Sequence, residues 1–139
     1  MPHFSWSDEL YTGNAMIDGD HRELIARIDA LIDAMESAAG TGLSAAMQHL
    51  VAYTKEHFAR EEAEMRRIRY VAALAHGSEH AKLLQQIGGL EDIIEAGGRI
   101  HVAAVSDFLR QWLRDHILAT DMRLAAALKE APESAAHKH

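Results

Sequence analysis

The segment HFAREEAEM, residues 57–65, places His57 one helical turn ahead of Glu61, and HGSEH, residues 76–80, places His76 one turn ahead of His80. Residues four apart share one face of a helix, where an imidazole and a neighbouring donor can grip the same cation. A third stretch, WLRDHILATD at 112–121, carries His116 and Asp121 five residues apart, and a fourth, IDGDHRELI at 17–25, carries His21. The chain has 10 histidines and no cysteine in 139 residues, so any metal must be held by nitrogen and oxygen.

Whether these donors meet depends on the elements that carry them. The only prolines, Pro2 and Pro132, bracket the chain, and nothing between them is barred from helix on that ground. Apolar residues recur at steps of three and four, which predicts four amphipathic helices. The first covers about 20–38 with Leu24, Ile28, Leu31 and Met35 on one face, with Asp18 or Asp20 as its N-cap. The second covers about 42–68, with Leu43, Met47, Leu50 and Thr54 leading into His57, Glu61, Met65 and Ile68. The third, about 73–95, continues His76 and His80 with Leu83, Ile87, Leu90 and Ile94; the fourth, about 99–130, aligns Val105, Leu109, Trp112 and His116, then Asp121, Leu124 and Leu128. Short breaks at 38–42, 69–72 and 96–98 join antiparallel neighbours. The expected fold is all-α, an antiparallel up-down-up-down four-helix bundle over residues 1–130, with 1–19 as an N-terminal arm and 131–139 as a polar tail.

Counting from the turns tests whether the polar residues share a depth. From the first turn, near 40, His21 lies 19 residues back, while His57 and Glu61 lie 17 and 21 forward. From the third turn, near 97, His80 and His76 lie 17 and 21 back and His116 lies 19 forward. At a rise of about 1.5 Å per residue all of them reach a level roughly 28 Å from those turns. His101 and His49 are displaced from that level and are expected at the surface or the end of the bundle, and His3, His137 and His139 in the arm and tail are expected at the surface. A buried polar side chain needs a partner, and seven on one level predict a shared metal centre.

Seven donors exceed what one ion takes, so two ions are implied. Carboxylates bridge where imidazoles cannot, which makes Glu61 and Asp121 the shared ligands, with His76, His80 and His116 on one ion and His21 and His57 on the other. With a bridging oxo or hydroxo group the first ion is six-coordinate and the second five-coordinate, leaving a place for a small exogenous ligand. Nitrogen and oxygen donors at octahedral sites suit iron, although ligand type leaves manganese open. The five-residue step from His116 to Asp121 would separate them by about 140° on a regular helix, so a one-residue π-bulge is expected between them. Glu62, Glu64 and Glu79 are expected to face solvent.

Fourteen Lys and Arg stand against 21 Asp and Glu, a net charge of -7, which gives a nucleic-acid surface no support. No segment is long and apolar enough to span a membrane, and the opening residues lack a secretory pattern. A soluble cytoplasmic protein with neither nucleic-acid nor membrane partners is expected.

Taken together, the Trp6 arm leading to IDGDHRELI, HFAREEAEM as HxxxE, HGSEHAKLL as HxxxH and WLRDHILATD as HxxxxD resemble the hemerythrin family, in its single-domain bacterial form, over nearly the whole chain. The resemblance implies reversible dioxygen binding at a non-haem di-iron centre cycling between Fe2+ and Fe3+, with the seven ligands divided as above. It implies O2 at the five-coordinate iron, with nitric oxide, azide and other small anions as further ligands. Around that position Leu24, Ile25, Trp112, Leu113 and Ile117 are expected to form an apolar wall that withholds protons. Storage, delivery or local supply of O2 follows, as a monomeric carrier or towards a downstream oxygenase, with no catalytic residue and at most a weak oxidase or peroxidase side activity. The competing functions are a di-iron redox enzyme of peroxidase, oxidase or nitric-oxide-handling type, and an O2 or redox sensor. Carboxylate-rich oxidase sites use paired Glu-x-x-His motifs, and this sequence has none.

Overall fold

Asn14 opens the first helix: its side-chain oxygen accepts the Ile17 N–H at 2.9 Å, and α1 runs over Ala15–Glu36. The helix thus begins about five residues before the sequence periodicity suggested, and neither Asp18 nor Asp20 is its cap. Asp18 lies in the first turn, where it accepts from the Thr12 N–H and O–H and the Gly13 N–H and so folds the arm onto the helix. Gly19, a poor helix former, interrupts the pattern there, which is why the expected start fell too late.

In the computed structural model, which describes residues 6–37, 42–98 and 100–131, three further rods follow. These are α2 (Leu43–Arg67), α3 (Ala73–Glu95) and a fourth made of α4 (Val102–His116), a π-helical turn (Ile117–Asp121) and α5 (Met122–Glu130). No strand occurs among the described residues. The expected tail beyond Ala131, most of the first connection, and His3, His137 and His139 lie outside them. α1 packs against α2 and α4, and α2 against α3. The Trp112 indole N–H donates to the Leu83 carbonyl at 3.3 Å and ties α4 to α3. The all-α four-helix bundle expected from the periodicity is the fold observed.

The turns that reverse the chain are closed by backbone bonds. After α2 the Tyr70 N–H reaches the Met65 carbonyl and the Arg69 N–H the Arg66 carbonyl, with Arg69 left-handed at φ 53°. After α3 Gly97 takes the corresponding place at φ 74°, with the Gly98 N–H on the Ile93 carbonyl. Both are Schellman endings, for which glycine is the usual residue; Arg69 adopts the same conformation against the steric preference of its Cβ.

Two apolar clusters fill the interior. The larger includes Leu24, Ile28, Leu31, Met47, Leu50, Phe58, Leu83, Ile87, Leu109 and Ile117, and the smaller, by the α2–α3 turn, has Ile17, Met65, Leu124 and Ala125. The arm joins the larger one through Leu10 and Trp6, and the Arg22 guanidinium lies 4.3 Å from the Trp6 ring centre. Each fully buried aliphatic side chain contributes about 1.5–3 kcal/mol. That apolar packing holds a polar layer in place between the two clusters.

Candidate metal centre

The polar layer consists of His21 from α1, His57 and Glu61 from α2, His76 and His80 from α3, His116 from the end of α4 and Asp121 from the π turn. All seven are at most 3% exposed. Their donor atoms fall into two groups, Glu61, His76, His80, His116 and Asp121 in one and His21, His57, Glu61 and Asp121 in the other, each within 4.8 Å of mutual separation.

The carboxylates belong to both groups because their two oxygens face opposite ways. Glu61 turns Oε1 to His80 Nε2 at 3.0 Å and His76 Nε2 at 3.2 Å, and Oε2 to His57 Nε2 at 3.1 Å. Asp121 turns Oδ1 to His116 Nε2 at 3.0 Å and His76 Nε2 at 3.1 Å, and Oδ2 to His21 Nε2 at 2.6 Å.

Asp121 reaches this position through the π turn. The Met122 N–H bonds to the Ile117 carbonyl, five residues back, so one extra residue is wound into the helix and brings Asp121 onto the face of His116. The five-residue spacing is accounted for by that turn.

Outside the layer, two carboxylates orient the imidazoles. His57 Nδ1 donates to Asp20 Oδ2 at 2.9 Å, and Asp20 is gripped by Arg60 through two bonds of 2.9 Å and by the Tyr53 hydroxyl at 2.8 Å. His80 Nδ1 donates to Glu62 Oε2 at 2.8 Å, and the Phe58 ring stacks on His80 with centres 3.8 Å apart. A proton fixed on Nδ1 leaves the Nε2 lone pair facing the interior, the form a metal needs. Glu62 is therefore corrected from a solvated residue to the acceptor for His80, and Asp20 from a helix cap to the anchor of His57. Glu64 pairs with Arg67 at the surface, Glu79 is half-buried, and His49 and His101 are exposed. Asp20 and Glu62 each sit beside a ligand in sequence, but their contacts cross between helices, where periodicity within one helix carries no signal.

Within the layer the imidazoles and carboxylates stabilise one another's charged forms against burial. Burial disfavours the charged form of His57, yet Asp121, Asp20 and Glu61 outweigh it and lift its pKa well above the ordinary range. His76 is likewise opposed by burial and raised by Asp121 and Glu61 to about 9. Burial and Asp121 push the Glu61 carboxyl up, but His57, His76 and His80 bring it down to about 2. Asp121 lies well below the carboxylate range, since His116, His21 and His57 overcome its burial.

Protons alone do not satisfy the layer. Nε2 of His57 and His116, Oε2 of Glu61 and Oδ1 of Asp121 are buried without a well-directed hydrogen bond, although all are near opposite-polarity atoms. Lone pairs that crowd together without bonding one another fit cations placed between them. The donor chemistry, five imidazole nitrogens and two carboxylates, is that of a nitrogen and oxygen site for first-row metals.

The five residues expected near the exogenous ligand, Leu24, Ile25, Trp112, Leu113 and Ile117, are buried in the larger apolar cluster. Trp112 also lines a surface cleft between α3 and α4 with Leu83 and His116, which sets it beside the five-donor group.

Residues 12–128 match the family model described as Hemerythrin HHE cation binding domain. The chain is 28% identical over 131 residues to a bacteriohemerythrin of Pseudomonas aeruginosa, covering 94% of this chain and 85% of that protein. It is 26% identical over 125 residues to myohemerythrin-1 of Phascolopsis gouldii, covering 90% and 94%. A crystal structure of wild-type hemerythrin superposes with a TM-score of 0.82 at 25% identity, covering 90% of this chain and 97% of the other.

Proposed function

We propose that this chain, which belongs to the hemerythrin family, binds dioxygen reversibly at a pair of iron ions held in the polar layer. The observation that carries the reading is the division of Glu61 and Asp121 between two donor groups, one oxygen of each carboxylate on either side. His76, His80 and His116 would hold one ion and His21 and His57 the other, with Glu61 and Asp121 shared between them. Bound there, two ferrous ions would supply the two electrons that dioxygen binding takes up and its release returns.

The chain's own residues set the conditions for that exchange. The four-donor group has one protein ligand fewer, so a small ligand would find its place on that side. Asp20 and Glu62 hold the protons of His57 and His80 on Nδ1, away from the centre. Leu24, Ile25, Leu113 and Ile117 bring no proton donor and keep water out. Binding rather than turnover follows from a histidine-rich set packed among apolar neighbours.

Stopped-flow mixing of the diferrous protein with O2 tests the reading. A charge-transfer band that persists and disappears under vacuum is expected; prompt decay to the diferric state would mark the chain as an oxidase or peroxidase instead. Metal analysis with the optical spectrum decides between iron and manganese.

A further inference from the structure

The α2–α3 turn closes one end of the bundle with a surface unlike the rest. Val71 and Leu74 are 97% and 89% exposed, the most exposed large apolar side chains among the described residues. Arg66, Arg67 and Arg69 precede them within four positions, and no acidic residue lies between Met65 and Glu79. Arg67 is engaged by Glu64, while Arg66 and Arg69 are exposed. A shallow apolar groove lined by Ile68, Tyr70, Val71, Ala127 and Ala131 separates this turn from the end of α5, with Glu130 as its acidic member.

We propose that this end of the bundle docks on an anionic phospholipid surface, Val71 and Leu74 entering the interface and Arg66 and Arg69 meeting the headgroups. Charge complementarity argues for it: basic side chains within reach of an anionic leaflet are attracted, and adjacent apolar groups add insertion. The chain-wide charge of -7 averages this end away, and it also orients the molecule, because the acidic remainder is repelled from the same surface. Shape separates lipid from protein as the occupant. Val71 borders the groove, yet both it and Leu74 project almost wholly into solvent, and side chains that protrude in this way enter a bilayer without a matching contour. Arg69 adds a second argument, since a positively charged side chain occupies a left-handed position where glycine would be relaxed. No membrane crossing is involved, and no helix among the described residues is long and apolar enough for one.

Flotation of the iron-loaded full chain with phosphatidylcholine vesicles, with and without phosphatidylglycerol, tests the proposal. Binding only to the anionic vesicles, weakening with salt, is expected. Arg69→Gln should lower the partition coefficient about fivefold and Leu74→Ser about tenfold. Lys55→Gln, on an exposed part of α2 away from the turn, should leave it unchanged. Both test positions are exposed, and an unchanged circular dichroism spectrum confirms that the variants fold. Equal binding to neutral vesicles, or variants that bind as the parent does, would overturn the proposal. No binding at all would overturn it too, and would point to an acidic protein surface as the occupant of this patch.

Discussion

The Nδ1 of His57 lies 2.9 Å from the Asp20 carboxylate, which Arg60 and Tyr53 hold from the other side. Asp20 is thereby kept ionised, its carboxyl well below the usual range because the bonds from His57, Arg60 and Tyr53 overcome burial, while the Tyr53 hydroxyl, by burial and its bond to Asp20, is pushed up to about 12. A fixed negative charge behind an imidazole raises its basicity towards a metal. Asp20→Asn keeps the shape and removes the charge. Iron affinity at the four-donor group should fall about 10–100-fold, measured by anaerobic titration against a competing chelator. Unchanged affinity would show that Asp20 has only a packing role.

Glu61→Gln should change stoichiometry rather than simply weaken binding. The amide offers one oxygen where the carboxylate offers two, so the bridge between the groups is lost on that side. Iron per chain should drop from two towards one, and the optical signature of a coupled pair should vanish while helicity is kept. A variant that still binds two coupled ions would refute the bridging role.

Leu113→Ala should open space beside the centre. Leu113 is 2% exposed, so the change should cost about 2–5 kcal/mol of stability through lost burial and a residual cavity. It should also speed autoxidation, followed as decay of the oxygenated band, because water gains a way in. If stability falls and autoxidation does not change, Leu113 is ordinary core and the proton-excluding wall lies elsewhere.

The metal-free chain should have a stability optimum on the mildly acidic side of neutrality. His76 has a folded pKa of about 9 against an ordinary 6.5, so its contribution is fully present below 6.5 and lost as pH rises through 9; His57 shifts in the same direction. Glu61, at about 2 against an ordinary 4.5, contributes above 4.5 and loses that contribution as pH falls towards 2. Melting temperature of the metal-free protein should therefore peak between about 4.5 and 6.5 and decline on both sides. In the iron-loaded protein the imidazoles bind as neutral ligands, so the alkaline decline should disappear. Thermal melts of both forms across pH measure this, and a persistent alkaline decline in the loaded form would contradict it.

Much of the architecture was legible because the interior is periodic. Helices α2 and α3 fell within a residue or so of their expected spans, and the polar interruptions of the apolar stripes pointed to one depth. The five-residue step from His116 to Asp121, inconsistent with a regular helix, was itself a signal for the π turn. What escaped depends on how neighbouring helices are rotated. Asp20 meets Arg60 and His57 across α1 and α2, and Glu62 meets His80 across α2 and α3. The basic end of the molecule was hidden for another reason: a total over 139 residues says nothing of three arginines in four positions.

The π turn makes the centre depend on chain length in a way that side-chain chemistry does not. Deleting Thr120 would remove no ligand and would let the helix relax into its regular form. The aspartate would then follow His116 by four residues instead of five, about 40° around a regular helix, so it would stay on its face and the nine residues of α5 on theirs. One residue more has the opposite effect: the step becomes six, and α5 turns by about 100° relative to α4, taking Asp121 off its face and Leu124 out of the smaller apolar cluster. This part of the bundle is therefore tolerant of one residue fewer and intolerant of one residue more, a contrast that deletion and insertion scanning along 117–120 would expose as bound iron kept in the first case and lost in the second.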